Sequence, residues 1–482
     1  MNKISSYVIV AVLAVLALAG CSSNKDAAAT KFIPEEASVV VSTNPDHFLS
    51  QSKIAQETDL LRAIEVPADV LNNMPEYGIN PQEDLYVFLI DHHTFGLSTK
   101  LADTQKFLDG ISKSMEIDKD KKTCYQDGFG FKVFGDILVG AFDEDADPET
   151  IRRVIRDLDN GKGKNDVNDN TFFKEMISKP SVVSIWMKPK SAFSTMRRAG
   201  LIEMNELTKM SLRYMNEDGA MYVRLQSENG KLSVVSAGDY LDEDYIEEMD
   251  VYQGKHLKYI PKDADFVLGC NLNGDFITEV IESTKAAGHL DKLKMFGIDF
   301  WELIGTVDGD FTMSLNSIKM QDLNMNKMPE VDATLMLDVD DDELVGEFLL
   351  GLNGKLTPMS QRVEKNTYKV FMEEMGQLNY GIQNHTLYFN LSGDQFAKAK
   401  KAYSFDQLGN KTLAVMSIRM DNIDEATVRL LEKAAGMDLD FLQGVDMHTE
   451  LDGNVIRQDF SILLKEEINP LQLLVQIFKT NL

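Results

Sequence analysis

Apolar and polar residues along this chain follow two periods. Alternating runs such as FGFKVFG at 129–135 with DILVGAF at 136–142, and QLNYGIQ at 377–383 with HTLYFNL at 385–391, have the period of two that strands require, and their close succession predicts antiparallel neighbours. Other stretches repeat every three to four residues. Asp147 and Pro148 open one such stretch, Ile151, Val154, Ile155 and Leu158 share a face of it, and Gly161 stops it. Asn422, with Glu425 three positions later, opens another that carries Ile423, Leu430, Leu431 and Ala434 and ends at Gly436.

One opening occurs twice. Phe32-Ile33-Pro34-Glu35-Glu36-Ala37, followed by the apolar run from Val39, matches Tyr259-Ile260-Pro261-Lys262-Asp263-Ala264, followed by Phe266-Val267-Leu268. Proline biases its predecessor to an extended conformation, and the apolar run after it reads as a buried strand. Asn44 and Asn271 stand where each strand should give way to a capped helix, with Pro45 in the favoured first position of the first. Late in each half a strand, VVSIWMK at 182–188 or TLAVMSIRM at 412–420, precedes a helical pattern and a hairpin turning at Asn229-Gly230 or Asp452-Gly453. A closing helix follows, DEDYIEEM at 242–249 or INPLQLLVQIF at 468–478. The fold class is therefore α+β: two tandem duplicated halves, 32–255 and 256–482, with largely antiparallel sheets covered by helices on one face.

The N-terminus has a different character. The apolar stretch from Tyr7 to Gly20 is shorter than the ~20 residues a membrane-spanning helix needs and fits the apolar region of a signal peptide, residues 1–20. Leu18, Ala19, Gly20 and Cys21 resemble a bacterial lipobox. That resemblance implies cleavage before Cys21 and acylation of its thiol and new amine, several acyl chains being what durable anchoring requires. Residues 21–31 read as a polar, lipidated tether. By analogy with lipoprotein sorting, Ser22 in place of Asp implies the outer membrane. Lys25 and Asp26 are only a fragment of a surface-export signal and leave open which side of that membrane the body faces.

A lipobox, a polar tether and the duplicated aromatic-Ile-Pro-x-x-Ala-strand opening resemble a family of outer-membrane lipoproteins of the Bacteroidota classified as a domain of unknown function. The resemblance implies location and architecture, and brings no catalytic residue with it.

Composition narrows the chemistry further. A net charge of −28 argues against a nucleic-acid partner, because phosphates are held by clustered Lys and Arg. Three cysteines cannot build a disulfide scaffold, and once Cys21 is acylated Cys124 and Cys270 read as buried free thiols. No Walker loop, dinucleotide glycine fingerprint, HExxH, CxxC or GxSxG occurs. Ser50-Gln51-Ser52-Lys53 has SxxK spacing without the SDN and KTG companions of that group of acylases. In Asp91-His92-His93 the two imidazoles of a strand would point to opposite faces and could not share an ion. The acidic clusters 143–147, 242–244 and 338–343 lack EF-hand spacing and sit where helices begin, so they read as caps that complement the helix dipole. Trp186 and Trp301 fall within apolar patterns and read as core. No catalytic, cofactor-binding or metal-binding residue is assigned on this basis.

These observations point to a lipid-anchored, non-enzymatic binding or scaffolding module of the cell envelope, held to the membrane through acylated Cys21 and serving an envelope protein or ligand. The alternative is a hydrolase or glycan-handling protein whose two carboxylates meet only in the fold. Lipopolysaccharide is anionic too, so the folded body should be repelled from the bilayer and depend on its acyl chains for attachment. Changing Cys21 to Ala should move the protein from membrane to soluble fractions, read by fractionation. Persistent membrane association would contradict this.

Overall fold

The computed structural model describes residues 28–63, 71–91, 93–113, 115–162, 166–198, 206–282, 299–319, 330–356, 360–372, 376–391, 398–435 and 438–480. Cys21 and the apolar stretch before it lie outside them, as do His92 and Gly436. These residues fall into two compact units, the first drawn from Met1–Met204, Met215–Leu241 and Glu466–Leu482, the second from Asn205–Tyr214 and Asp242–Lys465.

The first unit holds strands β1 (Val39–Thr43), β2 (Leu85–Leu89), β3 (Phe95–Lys100), β4 (Thr123–Gln126), β5 (Phe129–Phe134), β6 (Ile137–Phe142), β7 (Val183–Met187), β8 (Met221–Glu228) and β9 (Lys231–Gly238). Each pairs antiparallel with its neighbour in the order β9-β8-β7-β1-β2-β3-β6-β5-β4. Its helices are α1 (Pro45–Ser52), α2 (Thr58–Ala63), α3 (Thr104–Ile111), α4 (Pro148–Gly161), α5 (Thr171–Ile177) and α6 (Pro189–Arg198). In the second unit α7 (Glu206–Arg213), α8 (Glu243–Glu247), α9 (Gly274–Glu282), α10 (Phe300–Gly305), α11 (Asp342–Leu356) and α12 (Glu425–Ala435) accompany a further set of antiparallel strands. Its strands are β10 (Phe266–Asn273), β11 (Val307–Lys319), β12 (Glu330–Val339), β13 (Ser360–Glu364), β14 (Thr367–Met372), β15 (Gly376–Gln383), β16 (Thr386–Leu391), β17 (Thr412–Arg419), β18 (Leu442–Asp452) and β19 (Val455–Leu464). They run β19-β18-β17-β10-β11-β12-β16-β15-β14-β13. The closing helix α13 (Pro470–Thr480) packs in the first unit, where Gln472 donates from Nε2 to the Gln51 carbonyl at the end of α1 (3.1 Å).

The repeated opening is a set of core anchors. Phe32, Ile33 and Ala37 are buried ahead of β1, as are Ile260 and Ala264 ahead of β10. Phe32 stacks on Phe134 with centroids 5.2 Å apart. The body is already packed before this point: Ala29 and Thr30 are buried, and Ser98 donates to the Ala29 carbonyl at 2.8 Å. The last residues of the expected tether therefore belong to the fold.

In the first unit helices pack on both faces of the β5–β6 hairpin, where cover on a single face was expected. On β5, Phe129, Phe131 and Val133 meet Phe107 and Leu108 of α3, while Gly130, pointing the other way, lies under Ile151 of α4. A Cβ on Gly130 would stand 2.6 Å from Ile151 Cγ2, so the close approach of α4 depends on glycine there. β6 is buried at five successive positions, the burial pattern of a strand covered on both sides. In the second unit Leu387 packs with Val345 and Leu349 of α11, and its neighbour Tyr388 with Leu257 and Ile260 on the opposite side.

Capping follows the expected chemistry with two shifts. Asp147 Oδ1 accepts from the Thr150 amide at 2.7 Å and Asn44 Oδ1 from the His47 amide at 3.2 Å. Asn271, however, lies within β10, which stays paired to β11 as far as Asn273, so Asn273 receives the Asp275 amide (2.8 Å) and caps α9. Likewise Asp424, not Asn422, caps α12, through the Ala426 and Thr427 amides at 3.0 and 3.2 Å. Asn422 instead reaches the Ala264 carbonyl with its own amide at 3.3 Å.

One core residue carries an unusual cost. Arg224 on β8 is 2% exposed, its guanidinium carbon lies 4.8 Å from the Tyr222 ring centroid, and its Nη2 donates to the Tyr222 hydroxyl at 3.4 Å, while Nε and Nη1 have no hydrogen-bond partner. A ring face and one long hydrogen bond repay little of the desolvation of a guanidinium. Arg224→Met keeps most of the volume and removes the charge, and should leave stability unchanged or raise it by about 1–4 kcal/mol. Urea unfolding measures this, and a clear loss of stability would refute the assignment.

Candidate functional site

A cleft of about 340 Å³ opens within the second unit. Four segments build it. Tyr214 follows α7, Tyr245 sits on α8, and Phe276 and Glu279 lie one turn apart on α9. Cys270 and Asn271 of β10 complete it with Ala414 of β17, which stands opposite Cys270 in the ladder. The Asp242 amide donates to the Tyr214 carbonyl at 2.8 Å and so ties the start of α8 to that tyrosine.

Aromatic rings form one wall. Tyr214 and Tyr245 stack with centroids 4.4 Å apart, and Phe276 tilts against Tyr245 at 5.9 Å. Glu248, Asp250 and Asp275 also line the cleft and are exposed, so they form its rim. Arg213 at the end of α7 donates to Glu279 at 2.7 Å. Burial, with a smaller effect from the Glu248 charge, raises the Tyr245 hydroxyl above its ordinary pKa. Burial, followed by the Asp310 charge, pushes the Cys270 thiol up to about 11, so it lines the cleft as a neutral group and not as a nucleophile.

A second polar constellation lies in the same unit, with Asp338, Asp310 and His256 buried and Lys255 exposed. Asp338 of β12 has His256 Nε2 at 2.9 Å from Oδ1, Lys255 Nζ at 2.9 Å from Oδ2, and the Thr386 hydroxyl donating to Oδ1 at 3.2 Å. Neighbouring Asp310 receives the Gln253 and Lys255 amides at 2.8 and 2.9 Å. Burial alone would raise the Asp338 carboxyl, but the hydrogen bonds from His256 and Lys255 outweigh it and hold the group far below the usual carboxylate range. Asp338 is thus ionised. Thr386 also approaches His256 Nε2, at 3.5 Å, while Nδ1 is buried without a hydrogen-bond partner. A nucleophile and its orienting carboxylate need opposite imidazole nitrogens, so the geometry fastens the 252–260 segment to the sheet and does not activate a hydroxyl.

The residues singled out in the sequence serve local structure. Ser50 donates to the His47 carbonyl (2.9 Å), Ser52 accepts from the Ile54 amide (3.2 Å), and Lys53 ends α1 in the left-handed region. Asp91 holds a turn through the His93 and Thr94 amides, both at 2.9 Å. Asp147, Asp242 and Asp341 receive helix-start amides, Asp143 accepts from the Thr94 hydroxyl at 3.1 Å, and Asp338 belongs to the buried cluster. Cys124 and Cys270 are free thiols, the first buried in the core. Trp186 is buried and donates to Asn170 Oδ1 at 3.0 Å, and Trp301 is half-buried on α10.

One grouping of metal-ligand type emerges only in the fold. Ligand atoms of Glu432, Asp438 and Asp440 lie within 4.8 Å of one another. Glu432 already accepts from the Leu439 amide at 3.1 Å and Asp438 from the Asp440 amide at 2.8 Å, so turn formation accounts for the grouping. Among the described residues no helix is long and apolar enough to cross a membrane.

The chain belongs to the family described as Domain of unknown function (DUF4836), whose model matches residues 30–402. No curated protein matches it. Among solved structures, TP0453 in crystal form I is similar over 44% of this chain and 78% of its own, at 7% identity and a TM-score of 0.28. Crystal form III of the same protein is similar over 46% and 82%, at 7% identity and 0.27. Scores of that size link neither fold nor function.

The buried cluster has a pH signature. A carboxyl whose pKa is lowered by folding contributes stability above its unfolded value near ~4, and the contribution is lost as pH falls below that value. Asp338→Asn should cost about 1–3 kcal/mol at pH 7, as expected when a buried hydrogen-bonded group loses its charged partner. The gap between variant and wild type should narrow as the pH drops below about 4. Urea midpoints at both pH values measure the effect, and a gap independent of pH would contradict the ionised assignment.

Proposed function

We propose that this protein is a lipid-anchored lipoprotein of the outer membrane, attached through acylated Cys21, whose folded body is a non-enzymatic binding or scaffolding module. The observation that carries the binding reading is the cleft, which places an aromatic wall and side-chain amides beside a polar rim at the small end of the ~300–1,000 Å³ range of ligand sites. A lipid tether suits a module that must stay at the envelope while remaining free to meet a partner, and the acidic body favours attachment by acyl chains over direct contact with an anionic surface.

The architecture is read as a tandem duplication. Supporting this, the two strand orders coincide once β13 is set aside and each set is numbered from its own first strand. Each unit also uses the same kind of anchored opening, and each ends in a hairpin that turns at a glycine of positive φ, Gly230 or Gly453.

An array of glycans and peptides probed with wild type and Phe276→Ser tests the function. Binding that the substitution abolishes, with the ligand recovered intact, is the expected result. Cleaved ligand would transfer the assignment to the hydrolase, and a blank array would overturn the binding reading.

A further inference from the structure

Resting on the cleft as a binding site, we infer that its ligand is an organic cation: a protonated primary amine carried on a short aliphatic body, as on a lysine side chain or a free diamine. The charge distribution is the first reason. Glu248, Asp250, Asp275 and Glu279 all line the cleft, and Arg213 neutralises Glu279. Among the described residues no cation lies within ion-pair distance of Glu248, Asp250 or Asp275, so within that set the negative charge at the opening is uncompensated. An anionic ligand would be repelled there, and a neutral one would leave that field unused.

Ring chemistry gives the second reason. Tyr214, Tyr245 and Phe276 form a run of aromatic groups 4.4 and 5.9 Å apart, and the negative faces of such rings attract ammonium groups. The raised Tyr245 hydroxyl, which responds to Glu248 after burial, registers the same negative potential at the wall. Leu413 and Ala414 offer apolar contact for the aliphatic part of the ligand, and about 340 Å³ accommodates a lysine-sized body without a long polymer. Cys270 stays protonated and presents a neutral surface, so nothing in the cleft calls for covalent capture of the amine.

Calorimetry on the full mature lipoprotein in detergent decides the matter. The probes are Nα-acetyl-lysine methylamide, its neutral Nε-acetyl derivative, Nα-acetyl-glutamate methylamide and cadaverine. The lysine derivative should bind about tenfold more tightly than the neutral one and weaken as salt is raised, and the glutamate derivative should not bind. Glu248→Gln should weaken the lysine derivative severalfold with no change in the urea midpoint, because Glu248 is exposed. Cadaverine binding as tightly as the lysine derivative identifies a free amine as the carrier, and weaker binding identifies a peptide; both support the cation. Equal affinity for the charged and neutral derivatives, or no binding of the lysine derivative, overturns the inference. The array separates the two failures: a ligand found there and lost in Phe276→Ser leaves the binding reading standing, and a blank array removes both.

Discussion

Everything else in this molecule hangs on the pairing of each unit's first strand with one from far along the chain. β1 sits between β2 and β7, and β10 between β11 and β17. The strand must satisfy hydrogen bonds on both edges, and it does so by recruiting a partner roughly 145 residues away in sequence, at the loop-closure cost such distant pairing carries. The isoleucine and alanine anchors that precede it, with Phe32 in the first unit, are buried before the ladder begins, and so they fix where it starts. The cleft inherits this constraint, because Cys270 and Ala414 are brought face to face by that same pairing.

Charge is managed in two ways on this scaffold. Most acidic groups with a clear structural role face solvent and receive backbone amides at helix starts, where the helix dipole favours them. Asp338 is taken inside and compensated by Lys255 and His256, whereas Arg224 is taken inside with little compensation. The cleft rim belongs to neither class. Its carboxylates Glu248, Asp250 and Asp275 are exposed and stand beside the stacked rings of Tyr214 and Tyr245.

The strands and hairpins were largely legible because alternation and Asn-Gly or Asp-Gly turns report on local backbone geometry. So was the cap at Asp147, where Pro148 and the spacing of Ile151, Ile155 and Leu158 agree. The cap at Asn271 was displaced by two residues because pairing, which continues through Asn273, overrides a local capping preference, and the cap at Asn422 because a 3-10 turn over Met420–Asn422 precedes the helix and leaves Asp424 to receive its first amides. Double-sided helix coverage was missed although the continuous apolar run of β6 carried the signal. Asp338 looked like its neighbours in an acidic run, and nothing local distinguishes the one carboxylate that meets His256, 82 positions away.

By itself the sequence determined the strand and helix periods, the twice-used opening, the likeness of Leu18 to Cys21 to a lipobox and a strongly acidic character. Each of these depends on residues within a few positions of one another or on composition. Only the tertiary structure decided that Tyr214, Tyr245, Phe276, Cys270 and Ala414 share one cleft, since they lie on four segments spread across 200 positions. A cleft is made by long-range strand pairing and helix packing, and neither leaves a periodic trace in the residues that line it.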